Sequence, residues 1–227
     1  MIPGAKNRNG EERQMHDLTV DRSVLRRGLF VIFLLIALPT AYSQSLSGKD
    51  LVAALRTGGY VILMRHASSP RDAPDAAHAD GENVAHERQL DEGGRTSARA
   101  MGEALRRLHI PIDDVLSSPT YRALQTIKLA QLRSPTTATE LGDSGQSMGA
   151  DKSGTRAAWL KAKSAVVPAP HENTLIVTHF PNIIEAYPEA QGLGDGEALI
   201  LHPNGQGGAA IVARVKMNDW ISLDSIR

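Results

Sequence analysis

The sequence contains no cysteine. Disulfides, thiolate metal sites, a cysteine nucleophile and a lipidated cysteine are therefore excluded, and any catalysis must draw on His, Asp, Glu, Ser, Lys or Arg. An excess of one charge is missing as well, because 25 Lys and Arg balance 25 Asp and Glu over 227 residues. Without a basic excess or a Lys/Arg-rich run, nothing is available to neutralise a nucleic-acid backbone, so nucleic acid is not an expected partner. A long hydrophobic run is missing too. The apolar block at residues 29–38 has ten residues; at about 1.5 Å of helix per residue it reaches only half of a hydrocarbon core of roughly 30 Å. Internal repeats and sustained low-complexity segments are also absent.

That apolar block is preceded by Arg26-Arg27-Gly28 and followed by Pro39 and Ala41-Tyr42-Ser43. A basic flank, a short apolar core and the small residues Ala41 and Ser43 make the pattern of a secretory signal cleaved after Ser43. The expectation is an N-terminal signal segment at 1–43, with an uncleaved membrane anchor as the alternative, and one domain at 44–227 that works in the periplasm or outside the cell. Arg26-Arg27 before Leu29-Phe30 weakly resembles a twin-arginine signal, and Met15 offers a later translation start. Cleavage would leave 19 basic and 21 acidic residues, a nearly neutral chain.

The remaining length can bury one good core. Ser47 followed by Asp50 three residues on predicts a capped helix carrying Leu51, Val52 and Leu55 on one face, which Gly58 and Gly59 end. Val61-Ile62-Leu63-Met64 then reads as a strand buried on both faces, leaving the core at Arg65-His66. Residues 68–91 show no period and predict a functional loop or lid. Ala98, Met101, Leu105 and Leu108 predict an amphipathic helix that stops near Ile110-Pro111. Val115-Leu116-Ser117 predicts a second buried strand, and Pro119 the first turn of a helix running through Leu124, Ile127 and Leu132. Between 134 and 154 the chain is rich in Ser, Thr and Gly, with a short extended piece at 137–141. A helix over 155–166 precedes a third apolar run, 174–179, that ends in His179. Runs at 197–201 and 209–215 predict a hairpin at a sheet edge. Strand alternating with helix predicts a three-layer α/β/α domain with a mostly parallel central sheet and an edge hairpin.

Polar residues of one chemical kind thus sit at three strand ends: Arg65 and His66, Arg122, and His179. In a mainly parallel sheet they share one edge, where two guanidinium groups and two imidazoles can surround a small tetrahedral anion, phosphate above all. Met64-Arg65-His66-Ala67, then Ser117-Ser118-Pro119 with Arg122, Ala123 and Thr126, then Val177-Thr178-His179 resemble the histidine phosphatase superfamily, also called phosphoglycerate mutase-like. Gln89-Leu90-Asp91 with Gly93, Ala98 and Gly102 resembles the linker helix of that family, and the resemblance spans residues 60–215.

The resemblance implies a phosphoglycerate mutase-like fold and an exported phosphoric monoester hydrolase acting on a small phosphorylated substrate. His66 would form a phosphohistidine intermediate. Arg65, Arg122 and His179 would bind the phosphoryl oxygens, with no metal or cofactor required. Two permanent cations would keep His66 neutral, while a bound anion would favour protonated His179. For the carboxyl group that protonates the leaving alcohol, the sequence departs from the family pattern. Leu141-Gly142-Asp143 is the nearest match to the acid of one branch, with a shorter side chain. Phe180 holds the place of the acid in the other branch and cannot donate a proton. Glu140 and Glu197 are substitutes by position, and Ala67 replaces the usual glycine beside the nucleophile. Ser68 is expected to hydrogen-bond substrate or backbone, since no nucleophile-elbow pattern surrounds it. His78 and His86 lie eight apart in the loop near Asp75, Asp80 and Glu82, without metal-ligand spacing. The competing class is a non-catalytic phosphate-binding or sensing module that has lost its acid. A phosphomutase is the further alternative, disfavoured by export. Any membrane contact is expected only during export or through the anchor.

Overall fold

The computed structural model describes residues 45–70, 88–143 and 153–224. The expected signal or anchor at 1–43, and His78 and His86 with the three acidic residues near them, lie outside the described residues.

Helix α1, Gly48–Thr57, buries Leu51, Val52 and Leu55, the three positions its apolar stripe marks. Ser47 stands at its N-cap with extended backbone, but its hydroxyl makes no capping bond, so the predicted cap is positional only. Gly58 ends the helix at a φ of 84°, where a Cβ would fall 2.5 Å from the Glu172 nitrogen. The chain then enters β1, Val61–Arg65. The other strands are β2, Ile112–Ser117; β3, Thr136–Thr137; β4, Asn173–Thr178; β5, Ala198–Pro203; and β6, Ala209–Val215. They form one six-stranded sheet in the order β3-β2-β4-β1-β5-β6. The first four pair in parallel; β5 joins β1 antiparallel and makes the edge hairpin with β6.

Side chains alternate across a strand, and β1 serves a separate core with each set. Ile62 and Met64 join Leu175, Val177 and Ile200 in a cluster with Leu55, Met101, Leu105, Ile127 and Trp220. Val61 and Leu63 join Ile176, Leu199 and Leu201 in a cluster with Leu160, Ile183 and Tyr187. The first cluster draws on α1, on α2 (Glu92–Arg107), α3 (Tyr121–Leu129) and α6 (Asp219–Asp224); the second draws on α4 (Ser153–Ser164) and α5 (Phe180–Ala186). The fold is mixed α/β in three layers, and two covered faces explain why these strands read as continuous apolar runs. Among the described residues, no helix is long and apolar enough to cross a membrane.

Some boundaries differ from the sequence expectation. Pro119 precedes α3 rather than opening it: Ser118 still bonds to Val177 of the sheet, and Thr120, with extended φ and ψ, is the N-cap. The helix ends at Leu129, short of Leu132. The piece expected at 137–141 is the two-residue β3 followed by a 3₁₀ turn, Thr139–Leu141. Helices α5 and α6 were not expected. The contact of α2 with α3 depends on Gly102, where a Cβ would meet the Ala130 carbonyl oxygen at 1.9 Å.

Candidate active site

In the sheet order, β2, β4 and β1 are adjacent and parallel, so their carboxyl ends form one continuous edge. His66 leaves β1 there, pinned through its backbone to Thr178 at 3.0 Å and Gly196 at 2.9 Å. Its ring is 3% exposed, and Nδ1 is 2.7 Å from the Ala67 carbonyl oxygen. Arg122 Nε lies 3.2 Å from the other nitrogen, Nε2. A guanidinium only donates and a carbonyl only accepts. The proton of His66 therefore sits on Nδ1 and the lone pair on Nε2.

Arg122 is the second residue of α3 and 1% exposed. Besides His66 it donates from Nη2 to Asp143 Oδ2 at 2.5 Å and to His179 Nδ1 at 3.1 Å. Because His179 accepts at Nδ1, its proton is on Nε2, which donates to the Ser118 hydroxyl at 2.9 Å, with the Thr120 hydroxyl at 3.3 Å. The two imidazoles meet edge to face with centroids 5.2 Å apart. Thr126 locks the arrangement: its hydroxyl donates to the Arg122 carbonyl at 2.8 Å and accepts from the Ala67 N–H at 3.1 Å. Ala67 itself is fully buried in the first cluster, so its methyl group is accommodated.

Burial pushes the pKa of His66 down, and the Arg122 charge adds to this. The hydrogen bond to the Ala67 carbonyl opposes them, Arg65 and Arg88 contribute further lowering, and the result is a pKa of about 3. His179 is also held well below 6.5, first by burial, then by Arg122 and His66. Both rings are neutral near pH 7, and His66 presents an unprotonated nitrogen to a guanidinium.

Arg65 reaches the same edge, but its guanidinium is engaged by Asp195 at 2.5 Å and the Leu193 carbonyl at 3.2 Å, over the Phe180 ring. Ser68 donates to Asp91 at 2.6 Å, and Asp91 caps α2 through the Gly94 N–H at 2.6 Å. A Cβ on Gly94 would fall 2.2 Å from the Ser68 carbonyl oxygen, so this glycine lets α2 begin directly against the loop that follows His66. Of the three candidate acids, Asp143 alone bonds to a member of the His66, Arg122 and His179 group. Glu140 lies in the 3₁₀ turn and receives the Thr139 hydroxyl. Glu197 is 6% exposed and accepts from Gly194 at 2.8 Å and Arg214 at 2.9 Å. Its burial favours the neutral form, but those two donors outweigh it and hold the carboxyl below its ordinary pKa. Glu197 is thus an ionised partner of Arg214, poorly suited to give up a proton.

Three side chains of this edge escaped the sequence reading. Arg88 donates to Ser69 at 3.2 and 3.3 Å, and its charge lowers both histidines; it lies in the aperiodic loop, where no pattern marks it. Asn182, three residues after His179, uses Nδ2 to hold the Leu141 and Gly142 carbonyls and the Thr178 hydroxyl, tying α5 to the segment that carries Asp143. Asp195 is the partner of Arg65. Among the described residues, no group of three or more His, Cys, Asp or Glu could hold a metal ion.

Residues 61–143 match the family described as histidine phosphatase superfamily (branch 1). A putative alpha-ribazole-5'-P phosphatase from Escherichia coli K-12 shares the fold at a TM-score of 0.50 and 16% identity, over 68% of this chain and 94% of that one. The protein histidine phosphatase SixA complexed with tungstate is 22% identical over 70% of this chain and 98% of that one, at a TM-score of 0.49. A phosphoserine phosphatase mutant from Entamoeba histolytica, with phosphoserine, is 13% identical over 70% and 97%, at 0.48. No curated protein matches the sequence.

Proposed function

We propose, from the match of residues 61–143 to the histidine phosphatase superfamily (branch 1), that the protein hydrolyses a phosphate monoester through a phosphohistidine on His66. The observation that carries this reading is the His66 Nε2 lone pair, kept free of a proton by burial and by Arg122, and aimed at that same guanidinium. A monoester dianion takes Arg122 as its main ligand, with Arg65, Arg88 and His179 around it. Its negative charge favours a proton on His179 and, by taking over Arg122, frees the Asp143 carboxyl from its ion pair.

Nε2 then attacks phosphorus. The N–P bond forms, the P–O bond to the alcohol breaks with its electron pair leaving on oxygen, and Asp143 supplies the proton. In the second half a water attacks phosphorus, gives its proton to Asp143, and returns the Nε2 lone pair as phosphate leaves. The same reading places the enzyme in the periplasm or outside the cell, supported by the basic flank, ten-residue apolar block and small residues of the first 43 positions.

The test uses the full chain with phenyl phosphate, whose leaving group barely needs an acid, and an alkyl phosphate. The expected result is turnover of both and acid-labile label on His66 after quench, with turnover and label lost in His66→Ala. Asp143→Asn should spare phenyl phosphate and lose the alkyl ester. A folded protein that binds phosphate yet turns over neither ester would be the non-catalytic phosphate-binding module instead, and activity surviving His66→Ala would reject the nucleophile.

A further inference from the structure

A cavity of about 630 Å³ opens beside the Arg65–Asp195 pair. Ser68, two residues after His66, lines it together with Ser97 of α2, Asp195 and Glu197, and with Lys216 and Asn218 between β6 and α6 and Asp219 at the start of α6. Its lining therefore begins at the loop that carries the nucleophile and at the carboxylate that holds Arg65. Among the described residues, no aromatic ring lines it. Met217, the single apolar side chain among the described lining residues, is 5% exposed and packs over Gly196, where a Cβ would come within 2.8 Å of it.

The wall carries both kinds of polar group. Ser97, Lys216 and Asn218 offer donors; Asp195, Glu197, Asp219 and the Ser68 oxygen, whose hydrogen already points to Asp91, offer acceptors. An aryl or alkyl leaving group would displace water from these groups and return no hydrogen bond, and a base would find no ring to stack on. A chain of hydroxyls, each both donor and acceptor, can satisfy both kinds of group. Resting on the phosphatase reading above, we propose that this cavity is the leaving-group subsite and that the substrate is the phosphate monoester of a polyhydroxylated alcohol, a sugar or polyol phosphate. The phosphoryl group sits on Arg122 and His66, and the hydroxylated portion extends past Arg65 toward Lys216 and Asn218.

The experiment compares kcat/KM of the full chain for 1-glycerol phosphate and n-propyl phosphate, which share chain length and leaving-group type but differ by two hydroxyls, with phenyl phosphate as control. The expected preference for glycerol phosphate is about tenfold or more. Ser97→Ala and Asn218→Ala should bring the ratio toward one, and a ratio of two substrates measured on one preparation cancels any loss of folded protein. A wild-type ratio near or below one, with phenyl phosphate turned over, overturns the subsite and leaves the phosphatase standing. A high ratio unmoved by both substitutions also overturns it, and no turnover of phenyl phosphate overturns both readings.

Discussion

Between pH 7 and pH 5 the protein should lose about 2 kcal/mol of stability through His66 alone. The unfolded imidazole takes up a proton near pH 6.5, whereas the folded one does so near 3. In that window the unfolded chain binds more protons than the native one, so falling pH favours unfolding. Each pKa unit is worth about 1.4 kcal/mol, so the loss starts near pH 6.5 and approaches 5 kcal/mol by about pH 3. That limit rivals the whole stability of an ordinary domain, about 5–15 kcal/mol. His66→Asn removes the titration while keeping a side-chain donor for the Ala67 carbonyl, which now receives Nδ1–H. Urea unfolding of both proteins at pH 7 and pH 5 provides the assay. The gap between their stabilities should move by about 2 kcal/mol in favour of the variant at pH 5, about 1 M in urea midpoint at an ordinary slope. His179 titrates in the same direction in both proteins and cancels from the difference. Wild type and variant falling in parallel would refute a buried, neutral His66 held by Arg122.

Two further substitutions test the frame around the site. Gly102→Ala places a methyl group where the Ala130 carbonyl lies and should cost about 1–3 kcal/mol, read as a lower thermal midpoint; an unchanged midpoint would contradict the close contact of α2 and α3. Thr126→Val leaves the buried Ala67 N–H unpaired, for a loss of about 1–3 kcal/mol by urea unfolding, and Thr126→Ser should restore both midpoint and turnover.

The sheet was legible because its strands are covered twice: Val61 to Met64 and 174–178 are unbroken apolar runs, and a parallel sheet puts whatever follows such runs on one edge. That rule placed His66, Arg122 and His179 together before any coordinate did. Helix α5 escaped because it has only seven residues and carries Pro181 in its first turn, a pattern that reads equally as a loop after a strand. Helix α6 is six residues long and is held by burial of Trp220, a tertiary cause with no periodic trace. Choosing among Glu140, Asp143 and Glu197 required knowing which arginine each one meets. Arg214 reaches Glu197 and Arg122 reaches Asp143 only through strand pairing and helix packing, which spacing along the chain does not encode.

The hydrogen bond from Arg122 Nε to His66 Nε2 makes the proposed nucleophile discriminating. In the proposed reaction the attacking electron pair is the one the guanidinium covers, so a reagent reaches it only by offering Arg122 something better to hold. A phosphate dianion does so with oxygens of higher charge. An uncharged electrophile offers nothing, and finds a buried, capped imidazole. On the proposed reading, recognition of negative charge and exposure of the attacking atom are thus a single event at this site, and indiscriminate alkylation or acylation of His66 is suppressed by the same arginine that would recruit the substrate.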